Sequence, residues 1–173
     1  MKEIPTLETE RLILREPRLE DFPSYAAMWA TENVTRFIGG RPNTEEEAWA
    51  RFLRVAGQWQ MLGYGFWTIE KKQTGERIGE AGFVEGRREI KPSLKGVPEI
   101  GWGIHPDEQG KGYALEAATA ALNWGIQHFK GQPIRCIIAP ENAPSIRLAE
   151  KLGFKELVST TYKDQPIIMF ERR

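Results

Sequence analysis

Gly110 and Gly112 bracket Lys111 in the run 106-PDEQGKGYA-114, just before a stretch with the apolar spacing of a helix. That combination suits an anion. A glycine-rich turn leaves backbone N–H groups unshielded, and a helix start adds unpaired N–H groups of its own with a partial positive charge. Phosphate binds where the two converge. Lys111 adds a full charge to the turn. Upstream, 99-EIGWGI-104 puts Gly101 and Gly103 on one face of a strand and Ile100, Trp102 and Ile104 on the other. Each glycine in a strand interior costs about 0.5–1 kcal/mol, so the pair needs a reason. Two readings fit equally. A helix packs tightly on the bare face, or backbone groups face a gap there and bond to a ligand carrying its own amides.

The loop spacing narrows the ligand. It is not GxxxxGK[ST], which disfavours a nucleotide hydrolase, and it is not GxGxxG with an acidic residue about 20 positions on, which disfavours a dinucleotide fold. Cys136 is the single cysteine, so an internal disulfide and a multi-cysteine metal site are both excluded. It lies in 134-IRCIIA-139 with neither His105 nor His128 visibly paired to it, and reads as a small buried hydrophobe. Lysine plus arginine equals aspartate plus glutamate, 24 against 24, so there is no basic field for a nucleic acid. No apolar run approaches a membrane span, and the start MKEIPTLETERL lacks an apolar signal core; a cytoplasmic protein is expected.

The elements that must position this loop follow from periodicity. Segment 10–16 alternates as a strand. In 18–30, Asp21 is the expected helix N-cap with Pro23 in the first turn. Thr44 and Glu47 form a capping box, after which Trp49, Phe52, Leu53 and Ala56 share a helix face that reads as core. Strands at 65–71 and 77–85 flank a turn with Gly75, and 86–98 is a polar loop. The strand 99–104, a helix from about Gly112 to Phe129, a strand at 134–139 and a helix at 143–152 follow. Gly153 stops that last helix and Phe154 packs behind it. Strands near 155–161 and 166–171 close the chain. The order β-α-α-β-β-β-α-β-α-β-β predicts a mixed α/β or α+β sheet, and no linker divides residues 1–173 into separate domains.

On these residues the chain resembles the GNAT superfamily of N-acetyltransferases. QGKGYA matches its Q/R-x-x-G-x-G/A pyrophosphate loop at Gln109, Gly112 and Ala114. The run 142-NAPSIRLAEKLGF-154 matches its second element, and 9-TERLILRE-16 is most similar to the RimJ/RimL-like branch of ribosomal-protein N-terminal acetyltransferases. The resemblance implies a mostly antiparallel central sheet splayed between two parallel strands, here 99–104 and 134–139, flanked by about four helices.

It also implies acetyl-CoA as co-substrate, with no metal. The pantetheine arm would lie in the splay beside Trp102, Gly103 and Ile104, with Asn142 and Ser145 contacting it. The pyrophosphate would sit on the backbone of Gln109, Gly110, Lys111, Gly112, Tyr113 and Ala114. The implied chemistry is direct acetyl transfer to an amine, which must first lose a proton, since an unperturbed lysine-type amine titrates near 10.4. Glu99 is the first candidate base, with Glu80 and Glu85 next; each also reads as a solvated or salt-bridged carboxylate. N–H groups around Gly103 and Ile104 would stabilise the developing oxyanion.

Many members protonate the leaving thiolate with a tyrosine seven residues after the matching asparagine. Here that position is Ala149, and the RimJ/RimL-like branch has a serine at the position of Ser145. The acceptor stays open between a protein N-terminus and a small-molecule amine, with Arg36, Arg41 and Arg88 as candidates for favouring an acidic one. A homodimer is common among such enzymes, though the residues do not fix the oligomeric state. The departure at Ala149 keeps a non-catalytic acyl-CoA-binding or sensing module as the alternative.

Overall fold

The computed structural model describes residues 3–173. Its strands are β1 (Leu7–Glu8), β2 (Leu12–Arg15), β3 (Phe66–Lys71), β4 (Arg77–Val84), β5 (Glu99–Ile104), β6 (Ile134–Ile138), β7 (Lys155–Tyr162) and β8 (Gln165–Arg172). Its helices are α1 (Phe22–Trp29), the single turn α2 (Glu32–Thr35), α3 (Glu45–Leu62), α4 (Tyr113–Phe129) and α5 (Ala143–Lys151). The strands form one sheet in the order β1-β2-β3-β4-β5-β6-β8-β7, antiparallel throughout except where β5 meets β6. This is the expected mixed sheet with one parallel pair. Among the described residues, β1, α2 and two 3-10 turns at Leu19–Asp21 and Pro106–Glu108 are additions, all too short to leave a periodic signal.

Helices cover both faces. On one, α4 lays Ala117, Ala118 and Ala121 against a core that includes Trp67, Phe83 and Ile100. On the other, α1 and α3 build a smaller cluster of Tyr25, Met28, Trp29 and Phe52. Successive residues of β3 mark the division: the Trp67 ring meets Trp124 of α4, while the Thr68 hydroxyl hydrogen-bonds Asp21 beside α1.

Gly125, inside α4, shows how closely that helix approaches. A methyl group there would run into the ring of Phe83, which is fully buried. Gly125→Ala gains at most about 1 kcal/mol of helix propensity. The overpacking costs roughly 1–3 kcal/mol. We expect a net loss of stability, seen as a lower Tm, with Phe83→Leu in the same chain recovering part of it.

Two local expectations are corrected. The buried face of α3 is Ala48, Phe52, Val55 and Trp59, whereas Leu53 is 50% exposed. Trp59 decides the rotation of the helix: it packs edge-to-face on Trp67 and donates its ring N–H to the Phe66 carbonyl at 2.8 Å. Trp49 is left at the rim, edge-on to Phe22. Asp21, in turn, does not cap α1. Its carboxylate takes two hydrogen bonds from Arg15, at 2.9 and 2.8 Å, and one from the Arg18 amide at 2.8 Å. A bidentate charge-assisted pair is stronger than a helix cap, so the carboxylate turns toward the guanidinium. The expected capping box of α3 is present, with Thr44 and Glu47 each accepting from the other's amide.

Candidate active site

The site originates where the sheet opens. β5 pairs with β4 along its whole length, from Val84 opposite Glu99 to Gly79 opposite Ile104. Its ladder with β6 holds a single register pair, Glu99 with Arg135, and the Arg135 amide donates to the Pro98 carbonyl at 3.1 Å. Beyond that point the two strands diverge. Because backbone groups alternate along a strand, those of Ile100, Trp102 and Ile104 share the edge of Pro98 and face the opening. Gly101 and Gly103 turn theirs to β4, so of the two expected oxyanion donors it is the Ile104 amide that is directed into the gap.

The packing reading of the glycine face holds at Gly101. An added side chain at Gly101 would meet the Phe66 ring at 2.9 Å, while one at Gly103 would touch only Met28 at 3.7 Å. The glycines admit packing on the face of β5; the unpaired amides lie on its edge toward β6.

A cleft of ≈ 520 Å³ runs from this opening to the start of α4, past Trp102, Ile104, Gln109, Gly112, Asn142 and Ser145. Gly110 and Gly112 have φ of 74° and 83°, the left-handed region where only glycine is unstrained. No atom lies within 4 Å of where a Cβ would stand on Gly110. The turn thus presents bare backbone to the first-turn N–H groups of Tyr113, Ala114 and Leu115, which have no partners within the helix. That cradle fits a pyrophosphate, and the open edge of β5 fits an amide-bearing arm.

The loop's side chains mostly brace it. Gln109 donates to the Ile104 carbonyl at 3.1 Å, closing the end of β5. Lys111 is held by Glu108 at 3.0 Å, and Glu108 also binds Lys71. Arg11, which no motif singled out, donates to the Lys111 carbonyl at 2.9 Å, pairs with Glu116 and covers the Tyr113 ring. Asn142 caps α5 by accepting from the Ser145 amide, and the Ser145 hydroxyl accepts from the Trp102 ring N–H at 3.3 Å. Ala149 is fully buried in the core, so no hydroxyl reaches the cleft from that turn of α5.

A second cleft, of ≈ 210 Å³, opens on the other side of the gap and shares Phe37, Ile38, Trp102, Asn142 and Ser145 with the first. Glu80 and Glu99 both line it, buried to 3% and 5% exposure. Their surroundings differ. Arg88 clamps Glu99 with two hydrogen bonds, at 2.8 and 2.9 Å, and burial and Glu99 together shift the guanidinium, with the net change upward. Glu80 lies opposite Gly103 in the ladder and accepts no hydrogen bond among the described residues. Its ion-pair contact is a long one, 3.7 Å to Arg51. Glu85 sits apart, accepting from the Gly96 amide at the base of the 86–98 loop.

Buried polar atoms without partners gather on this side of the sheet: the Tyr25 hydroxyl, the Trp29 ring N–H, Arg51 Nε, Gln58 Oε1 and all three guanidinium nitrogens of Arg77, whose charge Glu80 feels. Such atoms are rare in folded proteins, and a cluster of them beside a cleft marks where a ligand or ordered water completes the bonding. Desolvation, then Glu80, push the Tyr25 phenol far upward, so it stays a neutral donor. Burial likewise raises the Cys136 thiol; it lines the cleft as an inert hydrophobe. Of the arginines expected near the acceptor, Arg88 is there, Arg36 lines the other cleft, and Arg41 is paired with Glu47. The sequence reading missed Arg51, Arg54 and Gln58. They recur at steps of three and four, a polar stripe on α3 beside its apolar one, and that spacing was the available signal.

A family model described as an acetyltransferase (GNAT) domain matches residues 11–155. The chain is 31% identical over 152 residues to the uncharacterized N-acetyltransferase p20 of Bacillus licheniformis, an alignment spanning 87% of this chain and 83% of that one. It is 30% identical over 154 residues to the uncharacterized N-acetyltransferase YoaA of Bacillus subtilis, spanning 88% and 84% of the two chains. Among solved structures, a GnaT-family acetyltransferase of Bordetella pertussis superposes with a TM-score of 0.86 at 33% identity, covering 98% of this chain and 100% of the other. The fold is shared with RimL, a ribosomal alpha-N-protein acetyltransferase in complex with coenzyme A, at a TM-score of 0.78 and 15% identity over 97% of each chain.

Proposed function

The chain belongs to the GNAT family of acetyltransferases, and from that premise we propose that it transfers an acetyl group directly from acetyl-CoA to a primary amine, with Glu80 as the base. The observation that carries the reading is the meeting of two clefts at the opening between β5 and β6. One has a phosphate cradle at its far end, and the other has a buried, loosely held carboxylate at its near end.

Acetyl-CoA supplies the activated acyl group as a thioester. Glu80 accepts a proton from the incoming ammonium, directly or through water, so that the nitrogen lone pair attacks the carbonyl carbon. The C–N bond forms as the C–S bond breaks. The Ile104 amide faces the developing oxyanion from the edge of β5. Ser145, bonded to Trp102 where the clefts join, is the group positioned to hydrogen-bond the departing sulfur. Asn142 holds that serine by capping α5. Glu99 is assigned to hold Arg88, because its lone pairs are already engaged by the guanidinium. The burial of Ala149 leaves the thiolate to Ser145 or solvent, and argues against a tyrosine-type acid without favouring a silent acyl-CoA sensor.

The test is thermal unfolding with acetyl-CoA, CoA, ATP and NAD at matched concentrations. At about 100 times Kd a ligand stabilises by roughly 2.7 kcal/mol. For a domain of this size that is on the order of 5–10 °C. A rise is expected with both CoA species and not with ATP or NAD. It should be lost in Gly112→Val, which places a branched side chain on the left-handed backbone of the cradle. A wild-type chain indifferent to CoA would overturn the reading.

A further inference from the structure

We propose that the acceptor is a small primary amine carrying its own carboxylate, of the free α-amino-acid type, with Arg51 and Arg54 holding the carboxylate while Glu80 faces the nitrogen; this rests on the acetyl-transfer reading of the same site. The juxtaposition of Arg51 and Glu80 carries the argument. Arg51 Nη2 lies 3.7 Å from Glu80 Oε1, too far for a hydrogen bond, so a cation and an anion stand side by side without satisfying each other. An α-amino acid offers the complement, with a nitrogen and a carboxyl carbon about 2.5 Å apart.

The arginine is prepared for such a guest. Its guanidinium is laid over the Trp29 ring, 3.8 Å from the centroid, and its Nε is buried without a hydrogen-bond partner. Gln58 Oε1, seven residues along the same helix face, is a buried acceptor also lacking a donor. Arg54, one turn from Arg51 and on the same cleft, makes no ion pair among the described residues. Burial, and after it the nearby Arg51 charge, push its guanidinium downward.

Charge balance points the same way. Three guanidiniums, Arg51, Arg54 and Arg88, face two carboxylates, Glu80 and Glu99, leaving one positive charge in excess. A zwitterionic amino acid sets its carboxylate on the guanidinium left over and its ammonium on Glu80 without adding net charge, whereas a polyamine or other polycation adds to the excess and is repelled. Size agrees: ≈ 210 Å³ is small beside the roughly 300–1,000 Å³ of sites for drug-sized ligands.

The experiment measures release of the free CoA thiol from acetyl-CoA by the full chain. The acceptors are L-glutamate, L-leucine and L-tryptophan, each beside its α-carboxamide, with spermidine and an unblocked tetrapeptide. At least one free amino acid should be turned over with kcat/KM about 10–100-fold above its carboxamide and above spermidine, the range expected for a charge-assisted hydrogen-bond pair. Arg51→Gln and Arg54→Gln should bring that ratio toward one by raising KM for the acid. Arg54 is on the surface, so its variant reads out binding even if the Arg51 variant folds poorly.

Carboxamides, spermidine or the peptide used as well as the acids would overturn the proposal. So would a preference unchanged in both variants. If no panel amine is turned over while acetyl-CoA still raises Tm, the acceptor assignment falls and the family reading stands. If acetyl-CoA does not raise Tm, the underlying reading fails first.

Discussion

Glu80→Gln is expected to lower kcat/KM about 10²–10⁴-fold, the span typical for loss of a general base, while acetyl-CoA still raises Tm. The amide keeps the size and planarity of the carboxylate but cannot take the proton. Nothing in the phosphate cradle touches Glu80, so co-substrate binding has no reason to change. The sharper comparison is with Glu99→Gln. Both carboxylates are buried on the same cleft and one strand apart, yet only Glu99 is clamped by a guanidinium. Its loss should release Arg88, with lower thermal stability and altered acceptor KM as the main effects. A steady-state comparison of the two variants with one amine decides the assignment. A loss of less than about threefold in Glu80→Gln, with a collapse in kcat for Glu99→Gln, would return the base role to Glu99.

Asp21→Ala should be the most destabilising single change outside the apolar core. Asp21 and Arg15 are both buried, with side chains only 4% and 10% exposed, and Glu70 closes the cluster at 2.6 Å on Arg15 Nε. Removing Asp21 strips Arg15 of two hydrogen bonds and leaves Glu70 to carry the buried guanidinium, a cost approaching the roughly 3–5 kcal/mol of a broken buried pair. For a chain of this length that corresponds to roughly 6–20 °C in Tm. Calorimetry of the two proteins measures it, and a drop under about 3 °C would mean that water replaces the carboxylate at little cost.

The same pair carries a pH dependence. Burial pushes the Asp21 carboxyl up, but the Arg15 hydrogen bonds, the Arg18 amide and the Arg15 charge outweigh it, so the folded-state value is depressed. A depressed carboxyl contributes stability that is fully present above the unfolded value, near 3.9. That contribution is lost as pH falls toward the lower folded value. The wild-type minus Asp21→Ala difference in Tm should therefore be flat at neutral pH and shrink only in acid, below about pH 4.

What could be read from the chain divides along a physical line. Features set by a few consecutive residues were legible. The glycines of 106-PDEQGKGYA-114 require left-handed φ wherever the chain goes next, and Thr44 with Glu47 close a cap within one turn. Gly153 ends α5 with φ of 84°, and the alternation of 99–104 makes a strand by itself. These ordered signals, with the Asn142 stretch, were enough to indicate the family, the sheet and the glycine turn at the start of α4.

What only the tertiary structure decided are the pairings between distant residues, because a charge chooses its partner by distance in space. Glu99 looked like a base from its place at the mouth of the glycine strand, and the intervening loop brings Arg88 back onto it. Glu80 looked equivalent in sequence, yet its register opposite Gly103 leaves it buried and nearly unpartnered. Asp21 looked like a cap until Arg15 arrived from β2. The packing of Trp59 on Trp67 rotates α3, so that Arg51 and Gln58 of its polar stripe turn into the cleft, with Arg54 at its solvent-exposed rim. Local backbone preferences specified the glycine turn at the start of α4, and long-range packing alone determined which charges line the second cleft.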